Sequence, residues 1–245
     1  NELESKEKLT DKQTETLNDL RIKSTQNEIS EGAKTYCKRW LKQKLYGRYM
    51  PLDNKYVNKG LEVEEEAFTL LAVVLGLGMV FKNEERRSND YMSGECDLDL
   101  PKYQGKKTII DNKASWSLET FPMFDDKPDQ KYYWQGQGYM ELWDAEQFLL
   151  CYTLIDCPIH ILEKELKWIE NENDRQQKAS NLIFTTKSWI EAKEKFFPNA
   201  EDYEFIEIPK EKRVKTFVID RNNNDICRIR DKAKLCGEYI NTLIK

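Results

Sequence analysis

The chain has 245 residues, 39% of them hydrophobic, and a formal net charge of −5. This length and composition suffice for a large domain with a sizeable core and argue against global disorder, while the net charge provides no overall attraction to nucleic acid. The single histidine, His160, excludes Ser-His-Asp hydrolysis, HNH-type chemistry and multi-histidine zinc sites, so any catalysis must rest on carboxylates, lysine and a hard metal ion.

The first third of the chain is predicted to be helical. Thr10 and Gln13 have the spacing of a capping box at the start of a helix over residues 9–24. Two further helices are predicted: one follows Ser30 and ends near Gly47, and one begins after Gly60, has apolar residues on one face and stops at Gly76.

The central part of the chain alternates strands and a helix. Its predicted elements are strands at 79–83, 95–100 and 106–111, a helix at 129–144 and a buried strand at 147–156. The turn at 102–105 joins the second and third strands into a hairpin. Pro128 suits the first turn of the helix.

The last third is predicted to contain a charged amphipathic helix at 161–179, a strand at 214–220 and a terminal helix with apolar residues every three or four positions. This order predicts an α/β fold, a mixed central sheet flanked by helices with helical additions at both ends. We expect a single domain over residues 1–245, with an N-terminal helical part (1–57), a central core (58–160) and a C-terminal helix-strand-helix part (161–245).

Membrane insertion and disulfide bonding are disfavoured. The longest apolar run, residues 67–81, is too short for a membrane span and contains two glycines, and no leader pattern opens the sequence, so a cytoplasmic protein is expected. The cysteines have no CxxC spacing and are predicted to be reduced, buried thiols. They are Cys37, Cys96, Cys151, Cys157, Cys227 and Cys236.

Basic residues cluster between Gly32 and Leu52, where six Lys and Arg side chains occur without an acidic one. Such a helix is commonly a solvated face. The absence of balancing acids gives a DNA-binding surface equal weight here. The candidate contacts are Lys34, Lys38, Arg39 and Lys42.

Carboxylates and a lysine converge on the predicted hairpin. Asp111 and Lys113 are two positions apart on one strand and therefore share a face, and Asp97 on the partner strand can reach the same place. Two carboxylates in a low-dielectric pocket repel each other, and a divalent cation relieves that repulsion. Asp99 and Glu95 are alternatives to Asp97. The alternative without a function is that Asp111 and Lys113 form a surface ion pair at an exposed strand end.

Four motifs in order resemble the PD-(D/E)XK nuclease superfamily, in particular its RecB-like and lambda-type viral exonuclease branch. They are Gly60/Glu64 in KGLEVEEEAF, Gly94/Asp97 in GECD, Asp111/Lys113 in IIDNK, and Gln135/Gln137/Tyr139 in QGQGY. The resemblance covers roughly residues 58–156. Each motif is weak alone, and their order on the elements that the fold needs makes the set more specific. It implies a restriction-endonuclease-like core.

The resemblance assigns roles by position. Asp97, Asp111, the backbone carbonyl of Asn112 and Glu64 would bind metal, with Glu62 and Glu65 as rivals for the place of Glu64. Lys113 would be the catalytic lysine. Gln135 and Tyr139 would brace the site or contact a substrate phosphate, and Gln137 would contact DNA. The chain departs from the family pattern at Cys96, Leu98 and Asn112.

The function implied by this resemblance is a Mg²⁺- or Mn²⁺-dependent deoxyribonuclease with two metal ions, most consistent with an exonuclease in phage or bacterial recombination, repair or DNA processing. A recombination partner or a homo-oligomer would accompany DNA as a partner. No iron–sulfur cluster is expected, because Cys227 and Cys236 are only a widely spaced pair. The rival functions are a non-catalytic DNA-binding or assembly protein and a restriction-type endonuclease.

Overall fold

The computed structural model describes residues 9–25, 29–198 and 203–244, and its centre is a four-stranded mixed sheet. A separate short ribbon contains β1 (Arg87–Ser88) and β2 (Ser93–Gly94), and the sheet contains β3 (Leu98–Tyr103), β4 (Lys106–Ala114), β5 (Gln147–Thr153) and β6 (Val214–Asp220). The sheet order is β3-β4-β5-β6; β4 and β5 are parallel, and the two outer pairs are antiparallel. The predicted α/β class with a mixed sheet is confirmed.

Nine α-helices occur in the described residues. They are α1 (Asp11–Thr25), α2 (Glu31–Tyr46), α3 (Lys55–Glu62), α4 (Glu64–Leu75), α5 (Gln130–Trp143), α6 (Ile159–Leu166), α7 (Glu172–Ser180), α8 (Thr186–Phe196) and α9 (Asn223–Leu243). Across these same residues, none of the helices combines the length and the apolar character needed to cross a membrane.

The chain divides into two compact units. The larger, Met50–Ile229, contains the sheet and helices α3 to α8. The smaller joins Asn1–Tyr49 to Arg230–Lys245, and its described part consists of α1, α2 and most of α9. The prediction of one domain with parts at 1–57, 58–160 and 161–245 stays a prediction.

Helices cover both faces of β4. Ile109 packs with Trp143 of α5 on one face, and Ile110 packs with Leu71 of α4 on the other. All four side chains are fully buried. Because the two faces are covered by different helices, each residue at the end of β4 is directed toward either α5 or α4.

The first two helices begin as the sequence predicts. Thr10 N donates to Gln13 Oε1 (3.1 Å) and Gln13 N donates to Thr10 Oγ1 (3.3 Å), which completes the capping box. Ser30 Oγ accepts from Ala33 N (3.2 Å) at the start of α2. Gly47 ends α2 with φ +61°, a conformation that favours glycine.

The helix predicted to begin after Gly60 and to end at Gly76 is wrong at its start. Gly60 lies inside α3, and Val63 interrupts the helix between the end of α3 and the start of α4. Val63 N still donates to Lys59 O (3.0 Å), and the Val63 side chain packs with Ala67 in the core. Burial of the Val63 side chain therefore stabilises an interruption between two helices, which the continuous helical pattern of the sequence does not indicate.

Two further elements differ from the prediction. Residues 79–83 form no strand, since Met79 and Phe81 are largely exposed and only Val80 packs on the core. The charged region 161–179 is two helices, α6 and α7, because Asn171 caps a new start by accepting from Asp174 N (3.1 Å). Helix α8 was not predicted.

All six cysteines are free thiols. Four are buried as predicted, but Cys227 is exposed and Cys236 is half-buried. Both lie on α9, of whose residues only Ile226 is buried, so the prediction of burial is wrong for this helix.

Candidate active site

Strand β4 brings Asp111 and Lys113 to the same face. Asp111 is buried and follows Ile109 toward α5, and Lys113 follows two positions later. Lys113 Nζ forms an ion pair with Asp111 Oδ2. The strand end thus presents a buried carboxylate and its cation together.

Asp97 joins this pair from the other strand of the hairpin. It lies one residue before β3, and its backbone N–H donates to Ile110 O (3.0 Å). Asn112 N donates to Asp97 Oδ2 at 2.6 Å. A side-chain carboxylate thereby takes the place of a backbone acceptor in the ladder and is fixed beside Asp111.

Both aspartates are harder to ionise in this site than in water, so both have raised pKa values. Burial and then the charge of Asp111 raise the pKa of Asp97 to about 6, although the hydrogen bond from Asn112 N opposes the shift. Burial also raises the pKa of Asp111, against the attraction of Lys113. The site therefore favours a bound cation or proton.

Lys113 stays charged despite its burial. Burial alone would lower its pKa, but the ion pair with Asp111 and the charge of Asp97 raise the pKa above the usual lysine value. Its ammonium lies 5.1 Å from the ring centroid of Tyr132 on α5. The lysine is held as a fixed positive charge at the end of β4.

Glu64 lies near the same carboxylates at the start of α4. Both of its carboxylate oxygens are 2.7 Å from Lys82 Nζ, and its charge contributes to the raised pKa of Asp97. Its rivals lie elsewhere: Glu62 pairs with His160 (3.3 Å), and Glu65 is exposed. Glu64 is therefore the glutamate whose charge acts on the site, and its role as a metal ligand stays a prediction.

On α5, Gln135 and Tyr139 are one turn apart and act as a unit. Gln135 Nε2 donates to Tyr139 Oη (2.7 Å). Burial raises the pKa of Tyr139, against that hydrogen bond and with the help of Asp111. Gly94 permits this packing, because a Cβ there would lie 2.4 Å from the Tyr139 ring.

Gln137 is not available for DNA binding, which corrects the sequence prediction. It is fully buried, its Nε2 donates to Asp220 O (3.0 Å), and its Oε1 accepts from Asn222 N (2.8 Å). Gln137 therefore fastens α5 to the connection between β6 and α9. The intervening Gly136 allows α5 to approach β5, since a Cβ would meet the Phe148 ring at 2.0 Å.

The three departures from the family motifs have packing explanations. Cys96 and Leu98 are each 1% exposed and lie in two different core clusters. Asn112 lies on the α4 side of the sheet, where its Nδ2 donates to Thr153 Oγ1 on β5 (3.1 Å). Strand β5 thus supplies a partner for the amide nitrogen, whereas the buried Oδ1 of Asn112 has no hydrogen-bond partner.

Of the alternatives to Asp97, neither approaches Asp111 in the same way. Asp99 is paired with Ile109 in the β3–β4 register, and its charge acts on Arg87 and Cys96. Glu95 is half-buried, and its charge acts on Lys82. The structure thus brings Asp97, Asp111 and Lys113 together, and the charge of Glu64 acts on Asp97.

The residues are compatible with a divalent cation, although their number is small. Within residues 9–25, 29–198 and 203–244, no group of three or more His, Cys, Asp or Glu side chains is arranged to hold a metal. Asp111 Oδ2 is buried, and its ion pair with Lys113 lacks hydrogen-bond geometry. A buried carboxylate, Asp111, and a half-buried one, Asp97, that repel each other fit a hard cation that completes its shell from water or substrate oxygens.

Helix α2 presents the predicted basic surface within the smaller unit. Lys38, Arg39 and Lys42 are exposed, whereas Lys34 pairs with Glu31 (2.7 Å). The Arg39 guanidinium lies 5.5 Å from the centroid of the exposed ring of Tyr36. The surface combines exposed cations with aromatic rings.

Sequence reasoning missed Lys59, a lysine only 1% exposed. Its Nζ donates to Ser115 O and Trp116 O, both at 2.9 Å, just beyond the end of β4. Burial lowers the pKa of Lys59 to about 8, against the attraction of Cys157, Asp156 and Glu66. No sequence signal marks it, because a lysine next to Gly60 resembles any solvated helix position.

Solved structures resemble this chain over most of its length. The crystal structure of a phage-related exonuclease from Haemophilus somnus 129PT is 30% identical, covers 89% of this chain and 85% of its own, and superposes with a TM-score of 0.68. The chain belongs to this family of phage-related exonucleases. Membership supports a nuclease function for the chain.

Two more distant structures share the exonuclease fold. The alkaline exonuclease LHK-Exo from Laribacter hongkongensis is 13% identical with a TM-score of 0.56, and the matched regions cover 88% of this chain and 82% of that one. LHK-Exo in complex with dAMP is 13% identical with a TM-score of 0.53, covering 86% and 80% of the two chains. No protein-family model matches the chain, and no curated protein matches it significantly.

Proposed function

We propose that this family member is a divalent-metal-dependent DNA exonuclease of the lambda-type branch of the PD-(D/E)XK superfamily. The observation that carries the proposal is the pair of half-buried Asp97 and buried Asp111 beside a charged Lys113 at the end of the β3–β4 hairpin. The 30% identity to a phage-related exonuclease supports the same conclusion.

Asp97, Asp111, the backbone carbonyl of Asn112 and Glu64 are the residues that would hold Mg²⁺ or Mn²⁺, as two ions in the lambda-type scheme. When bound, the metal supplies an activated water and charge neutralisation at the phosphate. Burial and then the charge of Asp111 raise the pKa of Asp97, and a bound cation would relieve the repulsion between the two carboxylates.

Lys113 contributes a fixed positive charge at the scissile phosphate. Its Nζ remains protonated beside Asp111, so it can donate hydrogen bonds to phosphate oxygens as negative charge develops on them. Gln135 and Tyr139 would brace the site from α5 through their mutual hydrogen bond. Phosphodiester hydrolysis needs such preorganised charge, because the uncatalysed reaction is extremely slow.

DNA is the proposed substrate, and helix α2 is the proposed contact outside the reaction site. Lys38, Arg39 and Lys42 would neutralise backbone phosphates there, with Lys34 shared with Glu31. The proposed setting is recombination, repair or DNA processing in the cytoplasm of a bacterial or phage-infected cell. A recombination protein or further copies of this chain are the proposed partners.

The decisive experiment compares wild type with Lys113→Ala on linear and covalently closed circular DNA, in Mg²⁺, Mn²⁺ or EDTA. We expect wild type to degrade only linear DNA and only with metal, and Lys113→Ala to lose at least about 10²-fold of that rate. Lys106→Ala is the matched control, since Lys106 lies on the same strand and pairs with the exposed Asp220.

Other outcomes have distinct meanings. Cleavage of closed circles would replace the exonuclease with an endonuclease. Salt-dependent DNA binding without cleavage in any metal would contradict catalysis and leave a binding protein on a nuclease fold. Equal rates for Lys113→Ala and Lys106→Ala would remove Lys113 from the reaction.

A further inference from the structure

Helix α3 contains a buried lysine that the proposed mechanism does not use. Lys59 is 1% exposed, and its Nζ donates to Ser115 O and Trp116 O, both at 2.9 Å. Within residues 9–25, 29–198 and 203–244, neither of these carbonyls accepts a hydrogen bond from a backbone N–H. Because an unpaired carbonyl away from water is costly, the ammonium serves as the donor that this part of the chain lacks.

The two carbonyls belong to the residues that directly follow β4. Ser115 N donates to Thr153 O of β5 (2.8 Å), so Ser115 is still tied to the sheet. The Trp116 ring meets the ring of Tyr56 on α3 edge to face, with centroids 5.1 Å apart. Helix α3 therefore holds the chain within three residues of Lys113.

The main chain of Lys59 is in turn tied to the start of α4. Val63 N donates to Lys59 O (3.0 Å), and Ala67 N donates to Val63 O (2.9 Å), so the interruption between the two helices is hydrogen-bonded on both sides. Ala114, the last residue of β4, packs against the buried cluster that contains Val63 and Ala67. The residue before Glu64 is thus packed with the end of β4.

A lysine at this place combines reach with directional bonds. Its ammonium has three N–H donors, and the two carbonyls accept from it. The ring centroids of Trp116 and Phe184 lie 5.8 and 5.6 Å from Nζ, where aromatic faces attract a cation. Burial lowers the pKa of Lys59 to about 8, a cost that an apolar side chain would avoid. The contact between α3 and the end of β4 is therefore defined by hydrogen bonds as well as by burial.

We propose that Lys59 is a positioning residue of the reaction site, which fixes Glu64 at the start of α4 relative to Asp111 on β4. The proposal rests on the proposed nuclease function and adds a residue that touches neither metal nor substrate. A metal site whose carboxylates come from two elements requires those elements at a fixed separation, and residues behind the ligands commonly set the affinity. Removal of the Lys59 ammonium should therefore weaken metal binding.

The first test measures metal binding without catalysis. Mn²⁺ is titrated calorimetrically into wild type and into Lys59→Met, which keeps an apolar stem and lacks the ammonium. We expect the Kd for Mn²⁺ to rise about 10-fold in Lys59→Met, and Lys59→Arg, which keeps a charged donor, to restore it to within about 2-fold of wild type. If urea unfolding shows that Lys59→Met does not fold, Lys59→Gln takes its place with the same expectation.

A separate variant controls for lost stability. Ile226→Ala removes a buried side chain in the first turn of α9. Its free energy of unfolding should fall, because a cavity is left in the core, while its Kd for Mn²⁺ stays within about 2-fold of wild type. A rise in Kd equal to that of Lys59→Met would show that any loss of stability weakens metal binding and would overturn the positioning role.

The second test asks whether Lys59 acts through Glu64. In a Glu64→Gln background, Lys59→Met should change the Kd for Mn²⁺ by less than about 2-fold, because the carboxylate that Lys59 positions is already lost. An equal Kd in wild type and Lys59→Met, or a 10-fold rise that persists in Glu64→Gln, would overturn the proposal and leave the nuclease intact. A wild type that neither binds Mn²⁺ nor cleaves DNA would contradict the proposed function, and the positioning role with it.

Discussion

Two lysines show how differently one residue type behaves in this fold: Lys59 is fully buried, whereas the Lys113 side chain is 28% exposed. Lys113 at the end of β4 faces carboxylates, and they raise its pKa above the usual value. Lys59 on α3 faces only two carbonyl oxygens directly, and burial lowers its pKa to about 8. Burial disfavours the charged form of both, so the partner decides which lysine is a permanent cation.

The different partners of the two lysines fit two different roles, catalysis for Lys113 and anchoring of a loop for Lys59. Carbonyl dipoles satisfy the hydrogen bonds of an ammonium without neutralising it, which suits an anchor for the loop at Ser115 and Trp116. Carboxylates neutralise it but repel each other, as the raised pKa of Asp97 records. A bound metal ion would relieve this repulsion.

The largest expected effect comes from removing one of those carboxylates with Asp97→Asn. Because a metal ligand is lost, nuclease activity should fall at least about 10³-fold. The raised pKa means that ionised Asp97 destabilises the fold, and this cost is absent below about pH 4 and fully present above about pH 6. In EDTA at pH 7.5 the variant should therefore be more stable by about 1–3 kcal/mol, measured by urea unfolding.

Asp99→Asn is the matched control for that change, since Asp99 lies on the same hairpin but is paired with Ile109 rather than facing Asp111. Its activity should stay near wild type. If Asp99→Asn lost activity and Asp97→Asn retained it, Asp99 and not Asp97 would be the metal ligand. An Asp97→Asn variant less stable than wild type at pH 7.5 would contradict the repulsion between carboxylates.

The variant Lys59→Met tests the other half of the comparison, the lowered pKa of Lys59. A lysine whose pKa is lowered on folding destabilises the fold fully below about pH 8, and the cost is relieved as pH rises toward 10.5. The stability of wild type relative to Lys59→Met should therefore increase by about 1–3 kcal/mol between pH 7.5 and 10 in urea unfolding. Lys55→Met, on the same helix and paired with Glu165, should show no such trend.

A flat difference between wild type and Lys59→Met across this range would mean that the Lys59 ammonium is not desolvated. A difference that falls with pH would mean that nearby acids, such as Asp156 and Glu66, outweigh burial. Either result would make Lys59 resemble Lys113 and would end the contrast between them.

The sequence predicts the reaction site better than its surroundings, for a physical reason. Alternation along β4 is a local property, so Asp111 and Lys113 could be placed on one face without knowledge of the sheet. The burial of Gln137 and Lys59 depends on what packs over them, Asn222 in one case and the loop at Ser115 in the other. Such partners are distant in sequence and leave no periodic signal.

Secondary structure follows the same rule. Capping at Thr10 and Ser30 is set by neighbouring residues and could be predicted. The break at Val63 could not, because it is fixed by burial against Ala67 within a continuous helical pattern. Exposed apolar residues at 79–83 likewise had strand character without a partner strand to pair with.

Lys82 extends the comparison to a third lysine, which is partly exposed and pairs with Glu64. Solvent screens such a pair, so Lys82→Ala should change the free energy of unfolding by less than about 1 kcal/mol. Its ammonium nevertheless competes with any cation for the Glu64 carboxylate. The Mg²⁺ concentration for half-maximal nuclease activity should therefore fall by about 2- to 5-fold in Lys82→Ala, measured against Lys106→Ala. A higher Mg²⁺ requirement would instead show that Lys82 positions Glu64 for the metal, so that an exposed pair, and not only the buried carboxylates, organises the site.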